Sequence, residues 1–217
     1  MKSKHILISI VSLLGVFGAL YGVYSLLNVA PDATLIDKIK TERPQNRTLW
    51  NAKGKHTLAV MSDYQCPACK VFHEHLESIA ASDSPNVDAT KNVAYVFRYF
   101  PLHQIHEHAY YLAYAAEAAG RQGMFEQFTN RFFADQTKFV AGFDIKKYVT
   151  ELATELKLDL ATFNTDINDG ALQGVIQADL QLAEKLGVNA TPTFYLNGEK
   201  LESMSPADLT KLLQELN

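Results

Sequence analysis

Thr57-Leu-Ala-Val-Met-Ser-Asp-Tyr-Gln-Cys-Pro-Ala-Cys-Lys-Val-Phe-His73 runs from an apolar stretch into two cysteines separated by two residues. The apolar part, Thr57 to Ser62, is bounded by turn-forming residues and reads as a buried strand. From Pro67 to Ala81 the pattern changes: Phe72, Leu76, Ile79 and Ala80 share one face of a helix. Cys66-Pro67-Ala68-Cys69 therefore falls directly after a strand and in the first turn of a helix. The first thiol lies beyond the free backbone N–H groups of a helix N-terminus, which favour the thiolate over the thiol. A free cysteine has a pKa of about 8.5, and in such settings it falls to roughly 3.5–7. Pro67 opens the helix at a position where its missing N–H is not needed. Cys69 follows one turn later, near enough to close a disulfide with Cys66. One sulfur can thus attack a foreign disulfide while the other resolves the mixed intermediate.

Beyond this stretch, Ser82–Asn92 reads as a loop and Val93–Tyr99 as a second strand that stops at Pro101. A long helical region follows. Ile105–Ala119 is rich in Ala and Tyr, and Met124–Ala134 carries Phe125, Phe128, Phe132 and Phe133 at core spacing. Asp144 caps a helix with Ile145, Val149, Leu152 and Leu156 on one stripe, and Ala171–Leu186 is closed by Gly187. Thr193–Leu196 is a strand, Asn197-Gly198 a hairpin turn, and Lys200–Met204 the returning strand. Ser205-Pro206 opens a last helix with Leu209, Leu212, Leu213 and Leu216 as its apolar face. The order is strand, helix, strand, helical block, hairpin, helix. It describes an α/β thioredoxin fold with a helical insertion between about Leu102 and Gly187.

The chain has 217 residues, 47% of them hydrophobic, and a formal charge of −4. Composition excludes a disordered or collagen-like chain, and an acidic body without a Lys/Arg run offers no footprint for nucleic acid. Two cysteines exclude a disulfide-stapled scaffold. At the N-terminus, Lys2 and Lys4 precede a charge-free run from Ile6 to Leu27. As a helix this run is about 33 Å long, enough for a hydrocarbon core of about 30 Å. A secretory signal would be shorter, and Asn28-Val29-Ala30 is a poor cleavage site. The expectation is an uncleaved transmembrane anchor over residues 1–27, with the body outside the cytoplasm. Residues 28–52, with Pro31, Pro44 and one short helix near Thr34–Thr41, read as a stalk, and the body runs over 53–217.

A zinc site competes with redox chemistry, since Cys69 and His73 are four apart on one helical face and His75, His103, His106 and His108 follow. Structural zinc usually needs a second tight ligand pair, and a lone CxxC at a strand–helix junction is more typical of redox. The three later histidines read as surface or helix-cap residues. With these residues in view, the sequence resembles the DsbA-like thiol–disulfide oxidoreductases of the thioredoxin superfamily over about residues 45–217. The resemblance is carried by Ser62–His73, by Phe97-Arg-Tyr-Phe-Pro-Leu102, and by Leu186-Gly-Val-Asn-Ala-Thr-Pro-Thr-Phe-Tyr-Leu-Asn-Gly198. It implies that Thr191-Pro192 is a cis peptide facing the cysteines, that the backbone before the proline pairs with the substrate chain, and that the proline discourages metal capture. No metal and no cofactor are expected.

The chain departs from the family pattern at two places. Ala68 stands where the strong oxidases have a histidine, and its side chain offers the Cys66 sulfur no N–H. Val60 stands where many relatives carry a buried acid that helps move the resolving thiol's proton. Asp63 or a water would have to take that role, or nothing does. The function expected is an exported, membrane-tethered thiol–disulfide oxidoreductase on the periplasmic or outer side of a bacterial membrane. It would be a monomeric oxidase that passes a Cys66–Cys69 disulfide to unfolded proteins and is reoxidised by a quinone-linked membrane partner. The alternatives are a reductase in the same compartment and a redox-inactive, membrane-anchored binding module or holdase.

Overall fold

A computed structural model describes residues 14–23, 33–41, 47–81, 83–202 and 205–216. Ala33–Asn217 forms one compact unit. Its centre is a five-stranded sheet of β1 (Thr48–Trp50), β2 (His56–Ser62), β3 (Val93–Tyr99), β4 (Thr193–Leu196) and β5 (Glu199–Lys200), in the order β1-β3-β2-β4-β5. β2 and β3 run parallel, with Val60 beside Phe97, and the other pairings are antiparallel. Every residue of β3 is buried, as expected for a parallel strand covered on both faces. Around the sheet lie α1 (Ala33–Thr41), α2 (Pro67–Ala80), α3 (Ala109–Arg121), α4 (Phe125–Ala134), α5 (Ile145–Glu155), α6 (Leu160–Ile167), α7 (Gly170–Lys185) and α8 (Pro206–Gln214).

Alternation along the strands sorts two cores. Leu58, Val60, Tyr95, Phe97 and Phe194 face α2, α8 and the inserted helices, where the Phe125, Phe128, Phe132 and Phe133 rings are fully buried. Each such ring contributes about 1.5–3 kcal/mol of burial. On the opposite face Ala59, Met61, Val96 and Tyr195 pack on Ile39 of α1 and on Leu182 and Ala183 of α7. Arg98 also points to this face. It is buried against Asp179 at 3.1 Å and donates to the Lys38 carbonyl at 2.6 Å.

The expected βαβ start, helical insertion and hairpin–helix finish are present, and the thioredoxin-like architecture is as read. Asp144 accepts the Lys147 N–H, and Ser205 with Asp208 forms a capping box ahead of α8. The loop expected over Ser82–Asn92 holds a short 3₁₀ turn at Val87–Thr90, and α3 begins at Ala109, later than the Ile105 expected. The stalk expected over 28–52 needs correction, because α1 and β1 belong to the domain. β1 pairs with β3, and Arg47 just before it is buried with its Nε 2.6 Å from Glu117. A three-residue edge strand is too short to show a hydrophobic period, so only its partner reveals it.

Residues 14–23 are helical and exposed. Among the described residues no helix is long and apolar enough to cross a membrane. The rest of the expected Ile6–Leu27 span lies outside the described residues, as do Ser203 and Met204 of the expected return strand.

Candidate active site

Cys66 is the N-cap of α2, with extended backbone (φ −75°, ψ 119°), and Pro67 follows as the first helical residue. The sharp change from strand to helix is made by Ser62–Gln65. Within it the Cys66 N–H bonds the Asp63 carbonyl at 3.1 Å, and the Asp63 carboxylate accepts the Gln65 N–H at 2.7 Å. Both cysteines are free thiols. Both are buried, Cys66 at 6% exposed and Cys69 at 2%.

The two thiols are pushed in opposite directions. Cys66 falls from 9.0 to about 6, chiefly because the Cys69 thiol hydrogen-bonds its sulfur. Thr191 and the backbone N–H groups of Cys69 and Ala68 add to this, against the effect of partial burial. Ala68 thus lacks a side-chain donor but supplies a backbone one. Burial drives Cys69 well above the ordinary thiol value, and the neighbouring Cys66 pushes the same way. An activated outer thiol and a suppressed inner one are the division of labour that thiol–disulfide exchange requires.

Thr191-Pro192 is a cis peptide, and the Cys66 thiol donates to the Thr191 carbonyl at 3.4 Å. Beside it a groove of about 440 Å³ is lined by Ala68, Phe72, Pro192, Phe194 and Leu201 among others. The structure therefore brings Cys66, Cys69, Pro67, Ala68, Thr191 and Pro192 together. Asp63 is near them only through its backbone. Its buried carboxylate turns away, accepting from the Leu102 N–H at 2.8 Å and pairing with His106 Nδ1 at 2.7 Å. It anchors the loop after β3, and no hydrogen bond to Cys69 is made by its carboxylate. Among the described residues no three His, Cys, Asp or Glu side chains gather as a metal-binding group.

The match to a family model described as Thioredoxin covers residues 42–215. This chain belongs to the thioredoxin family. A thioredoxin-like oxidoreductase from Silicibacter pomeroyi is 26% identical, with a TM-score of 0.65 over 86% of this chain and 97% of that one. Pseudomonas aeruginosa DsbA2 is also 26% identical, with a TM-score of 0.58 over 77% of this chain and 90% of its own. Among curated proteins, a Na(+)/H(+) antiporter NhaA 1 of Mycobacterium sp. (strain KMS) is 29% identical over 185 residues, 84% of this chain and 28% of that protein. The thioredoxin-family chain thus spans about a quarter of the length of that curated relative.

The inserted helices hold this thioredoxin-family site from one side, and pattern reading did not find the groups that do so. Gln136 Nε2 donates to the Tyr64 and Cys66 carbonyls at 2.8 and 3.0 Å. Gln65 Nε2 donates to the Phe139 carbonyl, and its Oε1 accepts the His108 N–H at 2.6 Å. Lys70 Nζ donates to the Phe133 carbonyl at 2.6 Å. These are polar residues without a motif, and only the contact reveals their use. Of the histidines expected at the surface or as caps, His103 is exposed and His108 is the N-cap of α3, its N–H donating to Gln65 Oε1, while His106 departs from the expectation and pairs with the Asp63 carboxylate.

Proposed function

We propose that this protein is an exported, membrane-tethered oxidase that passes a Cys66–Cys69 disulfide to unfolded, cysteine-containing proteins. The observation that carries the reading is the Cys66 thiol, lowered to about 6 at the start of α2 and 3.4 Å from the carbonyl of the residue before a cis proline. A substrate thiolate attacks Cys66, and Cys69 leaves. The substrate chain lies along the Thr191 backbone, whose carbonyl accepts a main-chain N–H once the disulfide has removed the Cys66 S–H. A second substrate thiol then attacks the substrate's own sulfur in the mixed disulfide, and Cys66 leaves as the thiolate. Stabilising that leaving thiolate favours the reduced enzyme, which makes the disulfide an oxidant.

Export and tethering rest on the sequence. Ile6–Leu27 is long enough to span, and Lys2 and Lys4 place the short side in the cytoplasm. Disulfides persist outside the cytoplasm. A monomer reoxidised by a quinone-linked membrane protein completes the reading. Acid trapping of the thiols in living cells tests it: a mainly oxidised Cys66/Cys69 pair is expected. A mainly reduced pair makes the protein a reductase in the same compartment, the reading that Ala68 favours because its own side chain adds no donor to the thiolate.

A further inference from the structure

A sulfur leaves a disulfide faster the better its negative charge is held. When a substrate attacks Cys66, that charge falls on Cys69, which lies in the core at 2% exposed. Burial works against a charged sulfur there. Val60 offers no polar group, and the Asp63 carboxylate is engaged with Gln65, Leu102 and His106. His73, one turn further along α2, has its Nε2 2.7 Å from Asn130 Oδ1. The groups that do meet the Cys69 sulfur, besides Cys66, are Ser62 through its side chain and Asp63 through its backbone.

Local structure puts both donors there. Side chains two apart on a strand share a face, so Ser62 continues the row of Leu58 and Val60, which lie in the same core as Cys66 and Cys69. Ser62 is itself 4% exposed, and a hydroxyl in such a row costs stability unless it finds a partner. It ends β2 in register with Tyr99, and its carbonyl accepts the Phe100 N–H at 2.8 Å. Pairing with β3 therefore fixes the backbone that carries the hydroxyl. Asp63 is held more firmly still. Its carboxylate accepts the Gln65 N–H at 2.7 Å and the Leu102 N–H at 2.8 Å, and pairs with His106 Nδ1 at 2.7 Å. Its carbonyl accepts the Cys66 N–H at 3.1 Å. The backbone N–H is the polar group left to it, and that is the one turned to Cys69. Two donors fixed before the charge develops need no reorganisation as it forms.

We propose that the Ser62 hydroxyl is a catalytic group of the exchange reaction, which with the Asp63 N–H holds the negative charge on the Cys69 sulfur as the Cys66–Cys69 bond breaks. The inference rests on the oxidoreductase reading above and deepens it. In disulfide donation a substrate thiolate bonds Cys66 Sγ, and the electron pair of the Cys66–Cys69 bond passes to Cys69 Sγ. The Ser62 O–H and the Asp63 N–H donate to that sulfur and keep their own protons. The thiolate is then protonated from solvent, because burial favours the neutral thiol at rest. In the resolving direction the Cys69 proton goes to solvent and the same pair holds the thiolate. Its sulfur then bonds Cys66, and the electron pair of the Cys66–substrate bond leaves with the substrate sulfur. A donor pair that acts at the transition state speeds both directions alike and leaves the equilibrium unmoved.

The test reduces the full-length oxidised protein with dithiothreitol at neutral pH, quenches in acid and counts the reduced form by mass. In Ser62→Ala the rate should fall about 3- to 10-fold, the worth of one hydrogen bond to a sulfur carrying about half a charge at the transition state. Ser62→Thr, which keeps the hydroxyl, should recover most of that loss. In Ser62→Ala the Cys66 alkylation midpoint and the equilibrium with glutathione should stay at their wild-type values, because Cys69 is uncharged in the states they compare. A Ser62→Ala rate equal to wild type overturns the assignment. So does a slower rate that comes with a shifted Cys66 midpoint, since that reports a loosened cysteine loop. A Ser62→Thr rate as low as that of Ser62→Ala overturns it as well. If the wild type forms no mixed disulfide with glutathione at Cys66, the oxidoreductase reading fails first and takes this one with it.

Discussion

The chemistry of this protein is concentrated in two sulfurs whose pKa values are driven apart. Cys66 at about 6 is largely thiolate at neutral pH, while burial keeps Cys69 protonated. Alkylation of the reduced protein should therefore follow a midpoint near pH 6 and label Cys66 first, with mass mapping as the readout. Label on Cys69 first would reverse the assignment. The same shift links pH to stability. A thiol whose folded pKa is depressed stabilises the reduced fold fully above its unfolded pKa of about 8.5, and this is lost as pH falls through about 6. Cys69 is shifted upward, so its contribution is present below its unfolded value and is lost only at higher pH. His73, lowered to about 4, adds a slope of the same sign as Cys66 between its unfolded pKa of about 6.5 and about 4. Denaturant melts of reduced wild type should become more stable from pH 6.5 to 8.5, and Cys66→Ser should flatten that rise.

The elements transmit their constraints through a few polar contacts. Gln136, in the short turn after α4, satisfies two carbonyls of the cysteine loop. Gln136→Ala removes both hydrogen bonds, each with a net value of about 0.5–1.5 kcal/mol, and should raise the Cys66 alkylation midpoint as the loop loosens. Calorimetry and the alkylation profile read the two effects separately, and an unchanged midpoint would show that α2 alone positions the sulfur. The β4–β5 hairpin depends on its turn. Asn197 and Gly198 both have positive φ, at 52° and 88°, the pattern of a two-residue turn that suits twisted strands. A Cβ on Gly198 would overlap Ile36 and come within 2.7 Å of Lys40 Cε. Gly198→Ala thus meets two penalties, left-handed backbone and the docked α1, and should destabilise by more than about 1 kcal/mol. A melting temperature equal to wild type would mean that α1 is not packed on this turn.

The fold divides its work between two faces of one sheet. The face toward α2 carries the aromatic core and, at the strand ends, the thiols. The other face is closed by α1 and α7, joined by Arg98 through Asp179 and the Lys38 carbonyl. Arg98→Met leaves Asp179 buried with one partner fewer, and breaking such a pair from one side costs about 3–5 kcal/mol. Chemical denaturation should show that loss, and replacing both partners should recover part of it. For the N-terminal region, residues 6–27 should stay on the mature protein and hold it in the membrane fraction through an alkaline wash. A mature N-terminus near Ala30 would replace the anchor with a cleaved signal.

The amino-acid order alone determined the strand–CxxC–helix junction, the Thr-Pro strand, the hairpin turn and the caps of the later helices. Each is a local event, set by hydrophobic period, by a turn-forming pair or by a capping side chain within three or four residues. It was silent about β1, α1 as part of the domain, and α6, because short elements owe their form to the partner they pack on. Asp63 shows the same limit. The sequence leaves Asp63, a water or nothing to move the resolving thiol's proton, and only the approach of Leu102 and His106 shows where the Asp63 carboxylate is spent. Gln136, Asn130 and the orientation of His73 were decided by tertiary structure for one reason. A hydrogen bond between residues more than 50 positions apart leaves no period in the sequence, and becomes visible only when the chain has brought donor and acceptor within 3 Å.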